Sequence, residues 1–395
     1  MSDSKKAADF GKNHRGWLVL GALMCFGSLL SACNSTPKHR YDDSFVDQSA
    51  IIRDQLGNGW ISVDATSSEL ADSLRSYFQY FGFKDGYASA CYVQTDVGRI
   101  FVSAHYTRSV SAKGNIFLVH GYRGHGGHHG ELTDRLNLDG WNVYLMDLPG
   151  HGLSEGRPFY IGDFSDYGQA AFQVWNMLCK ADPIAQAAGN IFMGYSTGGS
   201  TIIELLQLIK QSPPADQAVY PDAAIFAAPL LFLKQQELRI QLSNLLQHQA
   251  ITIPEFVLNP DLYDEGYACY EEFKNFLLFH DPYHFHVFDP MWTEAFYNWN
   301  LALNLETEIQ FDLPVLLLQG TNDAVVDWQR AEALFTRLFP YCQIQLFDGY
   351  SHGILNLAPD RMANLYGTIQ TFLSTIQLQS SARLDSWPAF FDDSL

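Results

Sequence analysis

The chain has 395 residues, of which 47% are hydrophobic and 17% charged, and its formal net charge is −19. That length and composition suit one large domain with an insertion and exclude a disordered or fibrous chain. The acidity excludes nucleic acid as a partner, because a phosphate backbone needs a basic surface, and it opposes loose adsorption onto anionic lipid. In chain order, Lys5, Lys6, Lys12 and Arg15 make a basic start. Residues 16–30 are then largely apolar. This is the layout of a secretory signal, and it is short for a membrane span.

The apolar run closes with Leu30-Ser31-Ala32-Cys33, which resembles the lipobox of bacterial lipoprotein precursors. The resemblance implies cleavage before Cys33 and attachment of lipid to its thiol. Asn34 follows rather than Asp, which by the same resemblance implies a bacterial outer-membrane destination facing the periplasm. The alternative is an uncleaved N-terminal anchor helix. After export Cys91, Cys179, Cys269 and Cys342 remain. They lack metal-site spacing, and their pairing stays open between disulfides and buried thiols.

Residues 34–60 are polar and read as an irregular tether. Helical spacing follows over 67–83. A hairpin is predicted from 91–93 and 100–105 around Asp96-Val97-Gly98. Short apolar strands come next at 115–119, 141–146, 191–193, 223–227 and 315–318, with a last alternating strand at 343–347. Helical patterns lie between several of them, at 167–180, 201–209 and 328–339. Such alternation predicts an α/β fold with a mostly parallel sheet buried on both faces. One stretch breaks it: 231–312 opens with a predicted helix over 231–249 and is crowded with aromatics from Phe256 to Trp299. It is read as a helical cap, its aromatics shared between its own core and a cleft below. The predicted divisions are a signal at 1–32, tether and helix at 33–85, core at 86–230, cap at 231–312, core at 313–378 and a tail at 379–395.

The chemistry centres on Gly194-Tyr195-Ser196-Thr197-Gly198, a G-x-S-x-G motif between a strand and a helix. In that context the serine is a candidate nucleophile on a sharp turn that needs small flanking residues. A serine needs a base, and the base needs an orienting acid. Asp323 follows the 315–318 strand and His352 follows the last strand, so both reach the sheet edge that carries Ser196. Asp327 and Asp348 are rival acids; Asp323 is preferred because it sits directly in the strand-end loop. The loop His120-Gly121-Tyr122-Arg123-Gly124-His125-Gly126 is the candidate oxyanion hole, with backbone N–H donors from Tyr122 and Thr197.

His120-Gly121, the stretch 147–156 (DLPGHGLSEG), the Ser196 motif, Asp323 and His352 together resemble the monoacylglycerol lipase and lysophospholipase group of α/β-hydrolases, also filed with the serine aminopeptidases. The likeness runs over roughly 86–378, and the cap matches only in position. It implies the α/β-hydrolase fold, hydrolysis of lipid-like esters and no cofactor. His128, His129 and extra glycines depart from the family pattern in the oxyanion loop. Those histidines, with His125 and His151, raise a metal site, as do His280, His284 and His286 in the cap. No metal is expected, since a glycine-rich loop holds histidines poorly and the serine machinery needs none; the cap histidines are read as partly exposed. The alternatives are an aminopeptidase of the same family, with Glu265, Glu271 or Glu272 holding a substrate ammonium, and a non-catalytic envelope lipoprotein that keeps the fold. A small lipid ester and the membrane are the expected partners.

Overall fold

The computed structural model describes residues 43–378 except 65–67, 85–86, 110, 182–188, 213–218, 235–252, 255–270, 285–286 and 306–307. The signal segment, Cys33, Cys269, the tail, nearly all of the 231–249 helix, and Phe256, Tyr263, Glu265, Tyr267, Tyr270 and His286 lie outside the described residues.

A nine-stranded sheet forms the centre, in the order β1-β2-β3-β5-β4-β6-β7-β10-β11. Its strands are β1 (Ile61–Ser62), β2 (Tyr87–Thr95), β3 (Gly98–Tyr106), β4 (Gly114–Val119), β5 (Trp141–Met146), β6 (Asn190–Tyr195), β7 (Ala223–Ala227), β10 (Val315–Gly320) and β11 (Cys342–Phe347). The predicted hairpin is β2–β3, closed at Asp96 and Val97, and it pairs antiparallel. From β5 through β4, β6, β7 and β10 to β11 every pairing is parallel. β4, β5, β6, β7 and β10 are buried at every described backbone position except Tyr195, which is why they read as continuous apolar runs.

Alternate strand residues feed two cores. Phe117, Val119, Phe192 and Phe226 pack with α4 (Ser165–Ala181), α5 (Thr197–Gln211), α7 (Pro290–Leu305) and α8 (Trp328–Leu338). Ile116, Leu118, Ile191 and Met193 pack with α1 (Asp43–Gln55), α2 (Glu69–Tyr80), α3 (Gly130–Leu138) and α9 (Pro359–Thr375). α2 begins where the Ser68 hydroxyl accepts the Ala71 N–H, a helix N-cap.

The expected irregular tether is helical over Asp43–Gln55. α1 escapes a compositional reading because its apolar residues do not sort cleanly onto one face. Phe45, Ser49, Ile52 and Leu56 recur at helical spacing and are buried, but a serine interrupts that face while Val46 and Ala50 are exposed on the other. The predicted cap helix is also corrected at its start. Residues 231–234 form a bend, and Leu233 bridges to Val326. Beyond them the described cap holds α6 (Glu271–Phe279), α7 and a ribbon of β8 (Ile253–Pro254) with β9 (Val287–Phe288). None of Cys91, Cys179 and Cys342 forms a disulfide among the described residues. Burial pushes the Cys179 thiol up to about 11 and that of Cys342 up to about 12. No helix among the described residues is long and apolar enough to cross a membrane.

Candidate active site

β6 ends at Tyr195 and α5 starts at Thr197, so the whole reversal falls on Ser196, at φ 51° and ψ −115°. A non-glycine residue adopts such a conformation only when its surroundings enforce it. Here they do. A Cβ on Gly194 would stand 2.5 Å from the Gly198 oxygen, and one on Gly198 would run into the Val119 carbonyl. The two glycines of the motif are therefore demanded by close backbone approach.

Ser196 Oγ lies 2.9 Å from His352 Nε2, and His352 Nδ1 lies 2.8 Å from Asp323 Oδ2. The Asp323 side chain is wholly buried. Its Oδ1 accepts the N–H groups of Val325 and Val326 at 2.8 and 3.0 Å, and its Oδ2 also accepts from Gln319 Nε2 at 3.1 Å. Burial pushes this carboxyl up, but His352 and the converging N–H donors outweigh that and hold it below the usual range. The rival acids are engaged elsewhere. Asp327 caps α8 by accepting the Arg330 N–H, and Asp348 accepts the Thr321 hydroxyl at the surface. The cap enters directly over the acid loop: Lys234 N donates to Val325 O, and Lys234 Nζ donates to the Asp323 carbonyl.

The loop after β4 stands against the serine, since a Cβ on Gly121 would lie 3.0 Å from Ser196 Cβ. Tyr122 follows it. Thr197 is the first residue of α5, where a helix N–H has no acceptor within the helix. The Tyr122 ring stacks on Trp292 of α7, with centroids 3.9 Å apart, and its hydroxyl donates to Phe159 O at 2.8 Å. His120 braces this loop to the one after β5. Its Nδ1–H donates to Gly121 O, and its Nε2 accepts the Leu148 N–H. Burial, then His151, holds the His120 ring well below its ordinary pKa, so it stays neutral. Asp147 makes a second tie, accepting Gly126 N–H on one oxygen and Leu153 N–H on the other.

The histidines considered for metal occupy unlike places. His280 is exposed, whereas His129 and His284 are buried, against the expectation that the cap histidines are partly exposed. His125 and His128 converge instead on Asp281, a residue that no motif marked. Their Nε2 atoms lie 3.3 and 2.5 Å from its Oδ2. Spacing alone would let these three groups face one ion. The hydrogen bonding does not fit one, because His125 Nδ1 accepts the Gly127 N–H at 3.1 Å. That puts the proton of the neutral ring on Nε2, where a metal would need the lone pair.

The sequence profile described as "Serine aminopeptidase, S33" matches residues 110–357. This chain belongs to that hydrolase family. The S33 chain is 25% identical over 145 residues to caffeoylshikimate esterase of Arabidopsis thaliana, a stretch covering 36% of this chain and 42% of that relative. It is 27% identical over 97 residues to monoacylglycerol lipase of Mycolicibacterium smegmatis, 25% of this chain and 34% of the other. Its fold is similar to that of a soluble variant of monoglyceride lipase from Saccharomyces cerevisiae, with a TM-score of 0.58, 20% identity and coverage of 71% of this chain and 93% of that one. It is also similar to monoacylglycerol lipase of Paleococcus ferrophilus, with a TM-score of 0.55, 21% identity and coverage of 70% and 98%. At these identities the structural likeness is one of fold. The S33 chain carries α1 and α2 ahead of the matched stretch.

Proposed function

We propose that the protein is a serine hydrolase that cleaves carboxylic esters of lipid-like substrates, of the monoacylglycerol or lysophospholipid class, through an acyl-enzyme. The observation that carries this reading is the unbroken line from Ser196 Oγ through His352 to Asp323. Ser196 attacks the ester carbonyl as its proton passes to His352 Nε2. Asp323 accepts the Nδ1–H and stabilises the imidazolium. The carbonyl oxygen, now negative, meets the N–H groups of Tyr122 and Thr197. One such donor is typically worth about 3–4 kcal/mol of transition-state stabilisation. The alcohol leaves with the proton from His352, and water reverses the sequence on the acyl-enzyme.

The names of the relatives support an ester over an amide. So do three of the described carboxylates in the cap. An aminopeptidase needs one to hold a substrate ammonium, since an unpartnered buried charge is costly. Glu272 is exposed. The buried Asp281 is engaged by two imidazoles, and Asp289 pairs with Arg157 at 2.7 Å. An anchor at Cys33, placing the enzyme in a bacterial envelope beside its substrate, belongs to the same proposal. It rests on the lipobox resemblance, and fatty-acid labelling of Cys33→Ser against wild type tests it; equal label removes the site.

The test of function is a fluorophosphonate probe on the purified protein, followed by p-nitrophenyl esters, monoacylglycerols, lysophospholipids and aminoacyl amides assayed side by side. Labelling at Ser196 with preference for the lipid esters is expected. No labelling removes the hydrolase, and preference for the amides replaces it with the peptidase.

A further inference from the structure

An oxyanion hole works only if its donors are already in place, and this inference rests on the proposed acyl transfer. The loop carrying Tyr122 has bonds of its own, such as Gly124 N–H to Gly121 O and His128 N–H to His125 O, but they are local. It has glycines at 121, 124, 126 and 127, and Arg123 sits at a left-handed φ of 62°. Three ties join it to the loop after β5, through His120, through Asp147 and from the Tyr122 hydroxyl to the Phe159 carbonyl. Asn356 Nδ2 donates to the His128 carbonyl at 3.2 Å, and further ties come from the cap. His284 Nδ1–H donates to the Arg123 carbonyl at 3.1 Å, one residue from Tyr122. Asp281 Oδ2 accepts from both His125 and His128, while its Oδ1 accepts the Tyr283 N–H at 2.9 Å.

The chemistry of Asp281 says why a carboxylate stands there. Three N–H donors converge on it, two of them on one oxygen. A neutral amide would turn its own N–H₂ toward at least one of them. A buried carboxylate is costly and is a poor choice for stability alone. What it supplies is a fixed point: two rings three residues apart on the loop are drawn to one atom. The turn that bears it is held from behind as well. Tyr80 donates to the His280 carbonyl at 2.5 Å, and the Tyr283 hydroxyl donates to Ser49 Oγ at 2.6 Å. These two ties come from α2 and α1, outside the stretch that matches the family.

We propose that Asp281 is a positioning residue for the oxyanion hole: through His125 and His128 the turn at 280–284 sets the Tyr122 N–H relative to Ser196. The cap then serves the reaction itself as well as the choice of substrate.

The experiment compares wild type, Asp281→Asn, His128→Gln and His128→Ala on p-nitrophenyl butyrate. A trifluoromethyl ketone serves as the transition-state analogue and fluorophosphonate uptake as the count of active sites. For Asp281→Asn the expected result is kcat lowered about ten- to a hundredfold with KM within about twofold, somewhat less than the loss of a whole oxyanion donor. The inhibition constant of the ketone should rise by the same factor as kcat/KM falls. Gln keeps an N–H donor, so His128→Gln should recover most of the activity that His128→Ala loses. A merely structural role would lower the count of active sites and leave the ketone's affinity per site unchanged. That outcome overturns the proposal, as does a kcat within about twofold of wild type. If Asp281→Asn does not fold, the His128 pair carries the same readouts and decides. Failure of the wild-type protein to take up the probe overturns the hydrolase itself and this role with it, and is told apart because all the variants are then equally inert.

Discussion

Two buried carboxylates in this protein each accept N–H groups from imidazole, and only one belongs to a reactive arrangement. Asp323 faces His352, and Asp281 faces His125 and His128. Both carboxyls are held below their usual range although burial pushes each of them up. The difference lies at the second ring nitrogen. In His352 it meets a serine hydroxyl, so the ring can gain a proton and give it back. In His125 it is spent on the Gly127 N–H, so the ring has one tautomer and nowhere to receive a proton without losing a bond. A carboxylate–histidine pair is therefore no mark of catalysis by itself; what the far nitrogen sees decides whether it transfers protons or holds a loop.

The sharpest way to break this contrast is at the hydroxyl. Ser196→Ala should lower ester hydrolysis by on the order of 10⁴ to 10⁶ with the fold retained. Activity above about a tenth of wild type, measured on folded protein, would mean that the line through His352 is not the reactive one. Next is Asp323→Asn. The amide no longer selects the Nδ1–H tautomer, and kcat should fall by about 10⁴. A loss no larger than that of Asp281→Asn would erase the distinction between the two carboxylates.

A third kind of histidine sharpens it. Among the described residues His105 has no carboxylate partner; it lies 3.1 Å from the Ser103 hydroxyl and stacks on Phe83. Burial lowers its pKa from 6.5 to about 3. The folded value lies below the unfolded one, so the unfolded chain binds the proton first. The stability involved is fully present above pH 6.5 and is lost as pH falls toward about 3. One such proton tilts stability by about 1.4 kcal/mol per pH unit in that window. Urea unfolding of His105→Phe at several pH values should show a slope shallower by that amount, and an unchanged slope would show that His105 already carries its proton in the fold. The smallest effect is expected at the back of the Asp281 turn. Tyr283→Phe removes the bond to Ser49 and should cost about 1 kcal/mol of stability. A normal KM with a modestly lowered kcat is expected; a raised KM alone would detach this turn from the oxyanion loop.

Legibility in the sequence followed distance along the chain. The strand–turn–helix around Ser196 is local, and Gly194 and Gly198 announce it. The parallel sheet was legible because strands buried on both faces are short uninterrupted apolar runs. The choice of Asp323 over Asp327 and Asp348 was a matter of loop position; only the packed structure shows one capping a helix and the other at the surface. Asp281 left no trace at all, since its partner His128 is 153 residues away and no spacing rule spans that distance. The histidine-rich loop was the available signal, but it pointed toward metal. The placement of individual cap aromatics was equally out of reach. Trp292, Phe296 and Trp299 pack into the core beside Phe164 and Tyr122. These three bind cap to core.

The helix α1 also shortens a leash. Were residues 34–60 all loose chain, an anchor at Cys33 would let the body wander about 90 Å from the bilayer, at about 3.5 Å per residue. With Asp43–Gln55 helical, the helix begins ten residues on from Cys33, and ten residues can reach no further than about 35 Å. On the proposed lipidation, the catalytic body is confined to a layer beside the bilayer and meets its substrate as a nearly two-dimensional problem. The leash also ends on the helix whose Ser49 receives Tyr283, so a pull from the membrane is delivered one hydrogen bond away from the turn that carries Asp281.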